Sequence, residues 1–312
     1  MAEKPIIKIG YLKITDHLIL GVTDLKLKKQ KEVFEHGSLE LVLKNGWNEV
    51  ADALTSGSID GAFILAPTAM DLYKSGVGIK LILFTHKAGS VLVKSKAANI
   101  EKIEDFAGKA VLIPYQLSVH NMLFHRLLTE KGLKPGTSNE PGVDVTLEVM
   151  APMMMNDAIK YDEEGEIAGL IVAEPIGSQA ISSGLCEEFY LSKELWPNHP
   201  CCVFVVRDDV IAKNPNGIQE LTNSLVKSGL SIDDQPKAAA AIGAAFLGQD
   251  QAVVEKVLTE PADRITTGEL FPVIEDLVTI QDYMCDKMKK MTNKIDLEKF
   301  VDTQFAKTAG AK

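Results

Sequence analysis

The sequence predicts a two-lobed α/β protein. Three observations carry that prediction: a duplicated segment, an alternation of strands and helices around each copy, and a length suited to two cores. Gly57-Ser58-Ile59-Asp60-Gly61-Ala62-Phe63-Ile64-Leu65-Ala66-Pro67 returns as Gly165-Glu166-Ile167-Ala168-Gly169-Leu170-Ile171-Val172-Ala173-Glu174-Pro175, with Gly, Ile, Gly and Pro matched at a constant spacing of 108 residues. Upstream, 39–43 before Asp52-Ala53-Leu54 is matched by 145–149 before Asn156-Asp157-Ala158-Ile159. Two copies at so long a period do not make a stacked solenoid; they make two similar half-molecules with a cleft between them. At 312 residues, two domains of about 100–200 residues are expected, each with its own core.

The first unit reads as a strand over 6–11, a helix from Asp16, a strand over 39–43, a helix over 47–54 and strands over 61–65 and 79–85. Such alternation implies parallel pairing through right-handed crossovers. The second unit repeats the plan: a strand over 110–113, a helix over 120–131, a strand over 145–149, a helix over 154–160 and a strand over 169–173. The apolar, β-branched runs 91–93 and 202–206 are expected to cross from one lobe to the other as hinges. This assigns 1–92 and 205–312 to lobe 1, and 93–204 to lobe 2. The remainder is helical in pattern over 218–230, 238–247, 251–258, 274–291 and 297–307, and is expected to cover the first lobe.

Composition excludes several functions. A net charge of −10, from 33 basic and 43 acidic residues, with no basic run to track a phosphate backbone, argues against a nucleic-acid partner. The apolar runs fall far short of the ~20 residues of a membrane span. The start, Met1-Ala2-Glu3-Lys4-Pro5, enters a strand-like run without a charged end and apolar middle, so no leader is read there. The expectation is either a cytoplasmic chain or one whose periplasmic or cell-surface leader has been removed. Cys186, Cys201, Cys202 and Cys285 lack C-x-x-C spacing and read as free thiols, with a metal or redox role as the alternative.

In open parallel sheets, ligands sit beyond the carboxyl ends of the strands. The residues that follow each strand are therefore the candidates: Thr15, Asp16, His17, Trp47, Pro67, Thr68 and His86 in the first unit, and Gln116, His120, Asn121, Glu174 and Pro175 in the second. Thr15 or Asp16 suits an N-cap; alternatively Thr15 and the helix N–H groups donate to a ligand, while Asp16 orients His17 or a cation. Trp47 either packs in the core or walls the cleft. His17 and His120 occupy equivalent loops and are expected to face one gap. Met150 and Met153-Met154-Met155 read as core filler or as an apolar floor beneath the ligand.

No G-x-S-x-G, H-E-x-x-H, P-loop or G-x-G-x-x-G is present, so no catalytic residue, metal set or cofactor is assigned. Taken together, Gly10-Tyr11 with Thr15-Asp16, Gly46-Trp47, the 57–67 segment, Val119-His120-Asn121, Ala173-Glu174-Pro175 and Trp196-Pro197-Asn198-His199-Pro200 resemble the nitrate/sulfonate/bicarbonate (NMT1/THI5-like) family of ABC-transporter substrate-binding proteins. The resemblance runs from about Ile6 to Pro215. It implies a type II periplasmic-binding fold: two lobes, each a parallel-dominated sheet flanked by helices, joined by two hinge crossovers. It also implies hinge closure on a small polar or anionic solute and delivery to an ABC permease, with Thr15, Trp47, Pro67, His120, Glu174 and Pro175 lining the cleft. One departure follows the fourth strand, where nitrate and bicarbonate binders commonly carry an Asn-Gly-Gln-like segment and this chain has His86-Lys87-Ala88-Gly89-Ser90; no single solute is named.

The resemblance leaves two alternatives to a transport receptor. His199-Pro200-Cys201-Cys202-Val203-Phe204 faintly resembles the cysteine-rich segment of THI5-like pyrimidine synthases, with fewer thiols, so an enzyme on the same fold is the rival reading. An intracellular solute sensor is the other.

Overall fold

The computed structural model describes residues 4–312; the Met1-Ala2-Glu3 start lies outside them. Short apolar runs rich in Ile, Leu and Val form the strands, as their β-branched content favours. The first sheet collects β1 (Ile6–Tyr11), β2 (Ser38–Leu43), β3 (Gly61–Leu65) and β4 (Ile79–Phe84). After a two-residue strand β5 (Lys87–Ala88), the second sheet collects β6 (Ser90–Ser95), β7 (Ala110–Ile113), β8 (Pro135–Gly136), β9 (Val145–Val149), β10 (Ile167–Ala173) and β11 (Cys186–Leu191). The chain returns to the first sheet as β12 (Cys202–Arg207), and β13 (Ile265–Thr266) pairs with β5.

The strand orders are β2-β1-β3-β12-β4 and β11-β6-β10-β7-β9-β8. Five strands of the first sheet match five of the second in sequence of placement: β2-β1-β3-β12-β4 against β9-β7-β10-β6-β11. The duplicated segment is therefore a duplicated lobe. In each sheet one strand runs against the others, β12 beside β3 and β4, and β6 beside β10 and β11. Each is the strand that has just arrived from the opposite sheet. The runs 91–93 and 202–206, expected to cross between lobes, instead pair along their length within one sheet, Ser90–Lys94 with β10 and Cys202–Val206 with β3. The passages lie just before them, over residues 85–89 and 192–201, where the backbone is free of either ladder.

The repeated glycine has a physical cause. A Cβ on Gly169 would stand 2.0 Å from the Val93 carbonyl oxygen, and one on Gly61 would stand 2.7 Å from that of Val205. Both carbonyls belong to reversed strands, so each lobe needs a bare backbone where its visiting strand passes.

The helices Pro215–Asp234, Pro236–Leu247 and Gln251–Thr259 cover the first sheet, burying Ile218, Leu221 and Val254 with Leu18, Phe63, Phe204 and Val206. Each such side chain contributes about 1.5–3 kcal/mol when fully buried. The pattern over 297–307, expected as one helix, is broken into Leu297–Phe300 and Gln304–Ala309 because Val301 bridges Leu81 and the Asp302 N–H donates to the Leu81 carbonyl at 2.9 Å. The 274–291 helix ends early: Ile274–Asp282 passes into a wider turn over Tyr283–Lys287, and Lys289 takes φ +56. Among the described residues no helix is long and apolar enough to cross a membrane.

Candidate functional site

Four segments meet at the seam between the lobes. After β1 the chain turns on buried Leu12 and Ile14 and enters a tight turn of 3-10 helix, Thr15–His17. Neither Thr15 nor Asp16 caps the following helix: Ile14 and His17 hold the cap positions, and no side chain bonds there. Thr15 turns across the seam instead, its N–H and Oγ1 donating to the Glu174 carbonyl at 2.8 and 2.7 Å. Thr68 Oγ1 donates to the Leu117 carbonyl at 2.8 Å. The Thr15 and Thr68 bonds join the two lobes in a closed arrangement, while the Glu174 N–H donates to the Gly89 carbonyl at 3.0 Å as a continuation of the β6–β10 ladder.

Asp16 is fully buried and pairs with His86, Oδ2 to Nε2 at 3.0 Å, rather than with His17. Cys202 Sγ donates to the same carboxylate oxygen at 3.5 Å, and the Cys202 backbone nitrogen lies 3.3 Å from His86 Nε2. Ligand-type atoms of Asp16, His86, Cys201 and Cys202 all lie within 4.8 Å of one another. From the second lobe, His120 Nε2 bonds Ser90 Oγ at 2.9 Å, and its ring lies 3.8 Å from Cys201 Sγ. Asp16 Oδ1 and His86 Nδ1 are buried without a hydrogen-bond partner.

Charge is concentrated here. Burial opposes a proton on His86, but the Asp16 carboxylate outweighs it and pushes the imidazole up to about 10. Burial raises Asp16, with His86 holding it back. The Cys201 thiol is held well below the usual range by a hydrogen bond from Cys202, against the effect of burial, and His120 and His86 add to the lowering. Cys202 moves up, through burial and the neighbouring Cys201 sulfur. Burial opposes a charge on His120, yet the Cys201 thiolate raises its pKa.

The other expected residues take different places. His17 is locked by the Leu12 backbone, whose N–H donates to Nδ1 at 2.9 Å, and sits edge-on to Trp47 and Phe63 with centroids 5.8 and 5.3 Å apart. Burial, with His86 adding, lowers His17 to about 3, so it is a neutral ring. The Trp47 and His17 outer nitrogens, Nε1 and Nε2, are buried and unpartnered. Pro67 opens the helix Ala66–Lys74, and Pro175 precedes the helix Ile176–Ser182. Asn121 Nδ2 donates to the Gln116 carbonyl at 2.8 Å, and both residues line a separate small cavity of about 60 Å³ with His125 and Lys290. Met153 and Met154 are exposed, so they neither fill the core nor floor the cleft, whereas Met155 is core.

Cys201, Cys202, Ser90 and Arg264 were not assigned as ligand-binding residues, although Cys201 and Cys202 carried a metal or redox alternative and Ser90 ends the 86–90 loop expected at the cleft edge. The first three share one signal: a strand that runs against its sheet begins where its neighbours end. Cys202 stands opposite Leu65, the last residue of β3, and Ser90 opposite Ala173, the last of β10. Residues entering a reversed strand thus lie at the same carboxyl edge as residues leaving the parallel ones. Arg264 carries no sequence signal. Its guanidinium reaches Glu174 Oε1 from Nε at 2.9 Å and from Nη2 at 2.5 Å, and Glu188 Oε2 at 2.9 Å.

Comparison with known proteins agrees with this architecture. A ligand-binding component of an ABC-type import system from Staphylococcus aureus, solved with zinc bound, is similar at 27% identity and TM-score 0.84, covering 98% of this chain and 99% of that one. The periplasmic nitrate-binding protein NrtA from Synechocystis PCC 6803 shares the fold at TM-score 0.85 and 16% identity, covering 99% and 89%. The nitrate import ATP-binding protein NrtC of Synechocystis sp. is 27% identical over 248 residues, which is 75% of this chain but 36% of that protein, so the chain spans about a third of that relative's length. Residues 1–247 match the NMT1-like family, and the chain belongs to it.

Proposed function

We propose that the chain is a solute-binding protein that captures a small polar or anionic solute between its lobes by hinge closure and serves an ABC importer, without chemistry of its own. One observation carries this reading: unpartnered buried polar atoms of Asp16 and His86 lie at a seam stitched by the Thr15–Glu174 and Thr68–Leu117 bonds. A buried polar atom left unbonded costs about 1–3 kcal/mol, so the arrangement suits a guest that bonds it in the closed state. Greater affinity for the closed form then drives closure. The family, and the S. aureus import component, support the same role.

A thermal-shift screen against a broad library of anions, metabolites and metal ions tests it. At least one class is expected to raise the melting temperature without being consumed; flat curves throughout count against the reading.

The enzyme alternative draws on the Cys201–His120 pair, since a thiolate beside an imidazole is a nucleophile's setting. Turnover of a bound solute, or co-purified iron or a pyridoxal-like absorbance, favours that alternative. The sensor alternative is favoured by a protein partner that binds only the closed form.

A further inference from the structure

We infer that the solute captured at the seam is a borderline-to-soft divalent transition-metal ion, with zinc as the type, held by Asp16, His86, Cys201 and Cys202. The inference rests on the receptor reading, capture by closure of the two lobes, and puts a metal cation in place of the polar or anionic solute.

The donor set decides the chemistry. Two sulfurs, an imidazole nitrogen and a carboxylate oxygen, mutually within 4.8 Å, form a mixed S/N/O set of four. Zinc takes four such ligands at about 2.0–2.3 Å, which places neighbouring ligand atoms about 3.4–3.8 Å apart. The Cys202 Sγ to Asp16 Oδ2 spacing of 3.5 Å already fits, Asp16 Oδ2 to His86 Nε2 at 3.0 Å is slightly short, and every other spacing stays within 4.8 Å. Calcium and magnesium, which want six or more oxygens, are poorly served by sulfur and nitrogen.

The same set disfavours an oxyanion. A nitrate or carbonate wants convergent N–H and O–H donors, whereas a carboxylate and sulfurs present electron pairs. The buried guanidinium at the seam, Arg264, is bound to Glu174 and Glu188. Asp16 Oδ1 and His86 Nδ1 stay unpartnered in full burial, which marks both side chains as built for something other than their mutual pair.

The geometry also couples the ion to closure. All four ligands stand at the edge of the first sheet, and His120 of the second lobe comes within 3.8 Å of Cys201 Sγ. An ion bound on the first lobe thus sits where the second lobe's rim, with His120, closes over it.

The test is titration of the full chain, reduced and stripped with chelator, with cobalt(II) chloride followed by zinc chloride. One cobalt per chain is expected, with thiolate-to-cobalt charge-transfer absorption in the near ultraviolet, tetrahedral bands in the visible, and displacement by zinc. The double variant Cys201→Ser/Cys202→Ser should lose the charge-transfer band and bind at least ~100-fold more weakly, since even outer-shell losses cost about 10–100-fold. Asp16→Asn, a near-isosteric change that guards against misfolding of the double variant, should weaken binding at least ~10-fold. Cys285→Ser should bind as the parent does. Absence of the charge-transfer band in the parent chain, or equal affinity in a folded double variant, overturns the inference. If zinc fails but nitrate or bicarbonate raises the melting temperature, the metal assignment falls and the receptor reading stands. If zinc binds at these residues and the lobe spacing does not change, the site stands and the receptor reading falls.

Discussion

Arg264 grips a single oxygen of Glu174 with two of its nitrogens, Nε at 2.9 Å and Nη2 at 2.5 Å, although the two residues are 90 positions apart in the chain. Both side chains are buried, and Ser178 completes the carboxylate's shell, its N–H reaching Oε2 at 3.0 Å and its Oγ reaching Oε1 at 2.9 Å. Arg264 also places its carbonyl on the Gly89 N–H at 2.8 Å, beside the passage that leads from β4 into β6. The pair therefore fastens the C-terminal segment to the second lobe next to a hinge.

Removing one partner leaves a buried charge without compensation. Arg264→Ala is expected to destabilise the protein by about 3–5 kcal/mol, read as a lowered urea midpoint. Arg264→Met with Glu174→Leu, which removes both charges, should recover much of that loss. A single variant within about 0.5 kcal/mol of the parent would mean that the pair is a solvated contact.

The repeated glycines make a second prediction. Gly169→Ala forces a methyl group against the Val93 carbonyl and should cost about 1–3 kcal/mol or more, because overpacking a sheet core shifts backbone. Gly132, where an added Cβ meets nothing, has φ +78 and should show only the backbone cost of alanine, about 1–2 kcal/mol. Equal losses at the two sites in urea denaturation would remove the steric explanation of the duplicated motif.

Acid should weaken the fold through the buried neutral histidines. His17 is lowered to about 3 and His199 to about 4, both chiefly by burial, while the unfolded ring titrates at about 6.5. Below pH ~6.5 the unfolded chain takes up protons that the folded chain refuses, so the stabilisation is complete above that value and is lost as pH falls toward about 3. Urea melts near pH 7 and pH 5 should show lower stability at the acid end, and His17→Gln should reduce the difference. An unchanged difference in that variant would assign the acid sensitivity elsewhere.

Much of the framework was legible because apolar runs such as 61–65 and 110–113 have one buried solution, and because the 57–67 segment recurs intact. The direction of the two visiting strands was not. A run such as Cys202-Val203-Phe204-Val205-Val206 has the same composition whichever way it is threaded, and only its pairing with β3 and β4 places Cys201 and Cys202 beside Asp16. The choice of His86 over His17 as the partner of Asp16 was equally hidden. Neighbours in a tight turn face different ways, and His17 is drawn to the Leu12 backbone and the Trp47 and Phe63 rings. The break at Val301 and the reach of Arg264 depend on contacts far along the chain, which periodicity does not encode.

The most direct test of a closing cleft is the distance between the lobes, measured by single-molecule energy transfer between dyes at the exposed positions Glu40 on β2 and Glu148 on β9. Two populations are expected, with the shorter distance gaining when zinc chloride or another stabilising solute is added. Thr15→Val with Thr68→Val should shift the balance back, because each lost seam bond is worth about 1 kcal/mol, or roughly 5-fold in the ratio. A single distance that no solute and neither substitution alters would contradict closure of the two lobes on a guest.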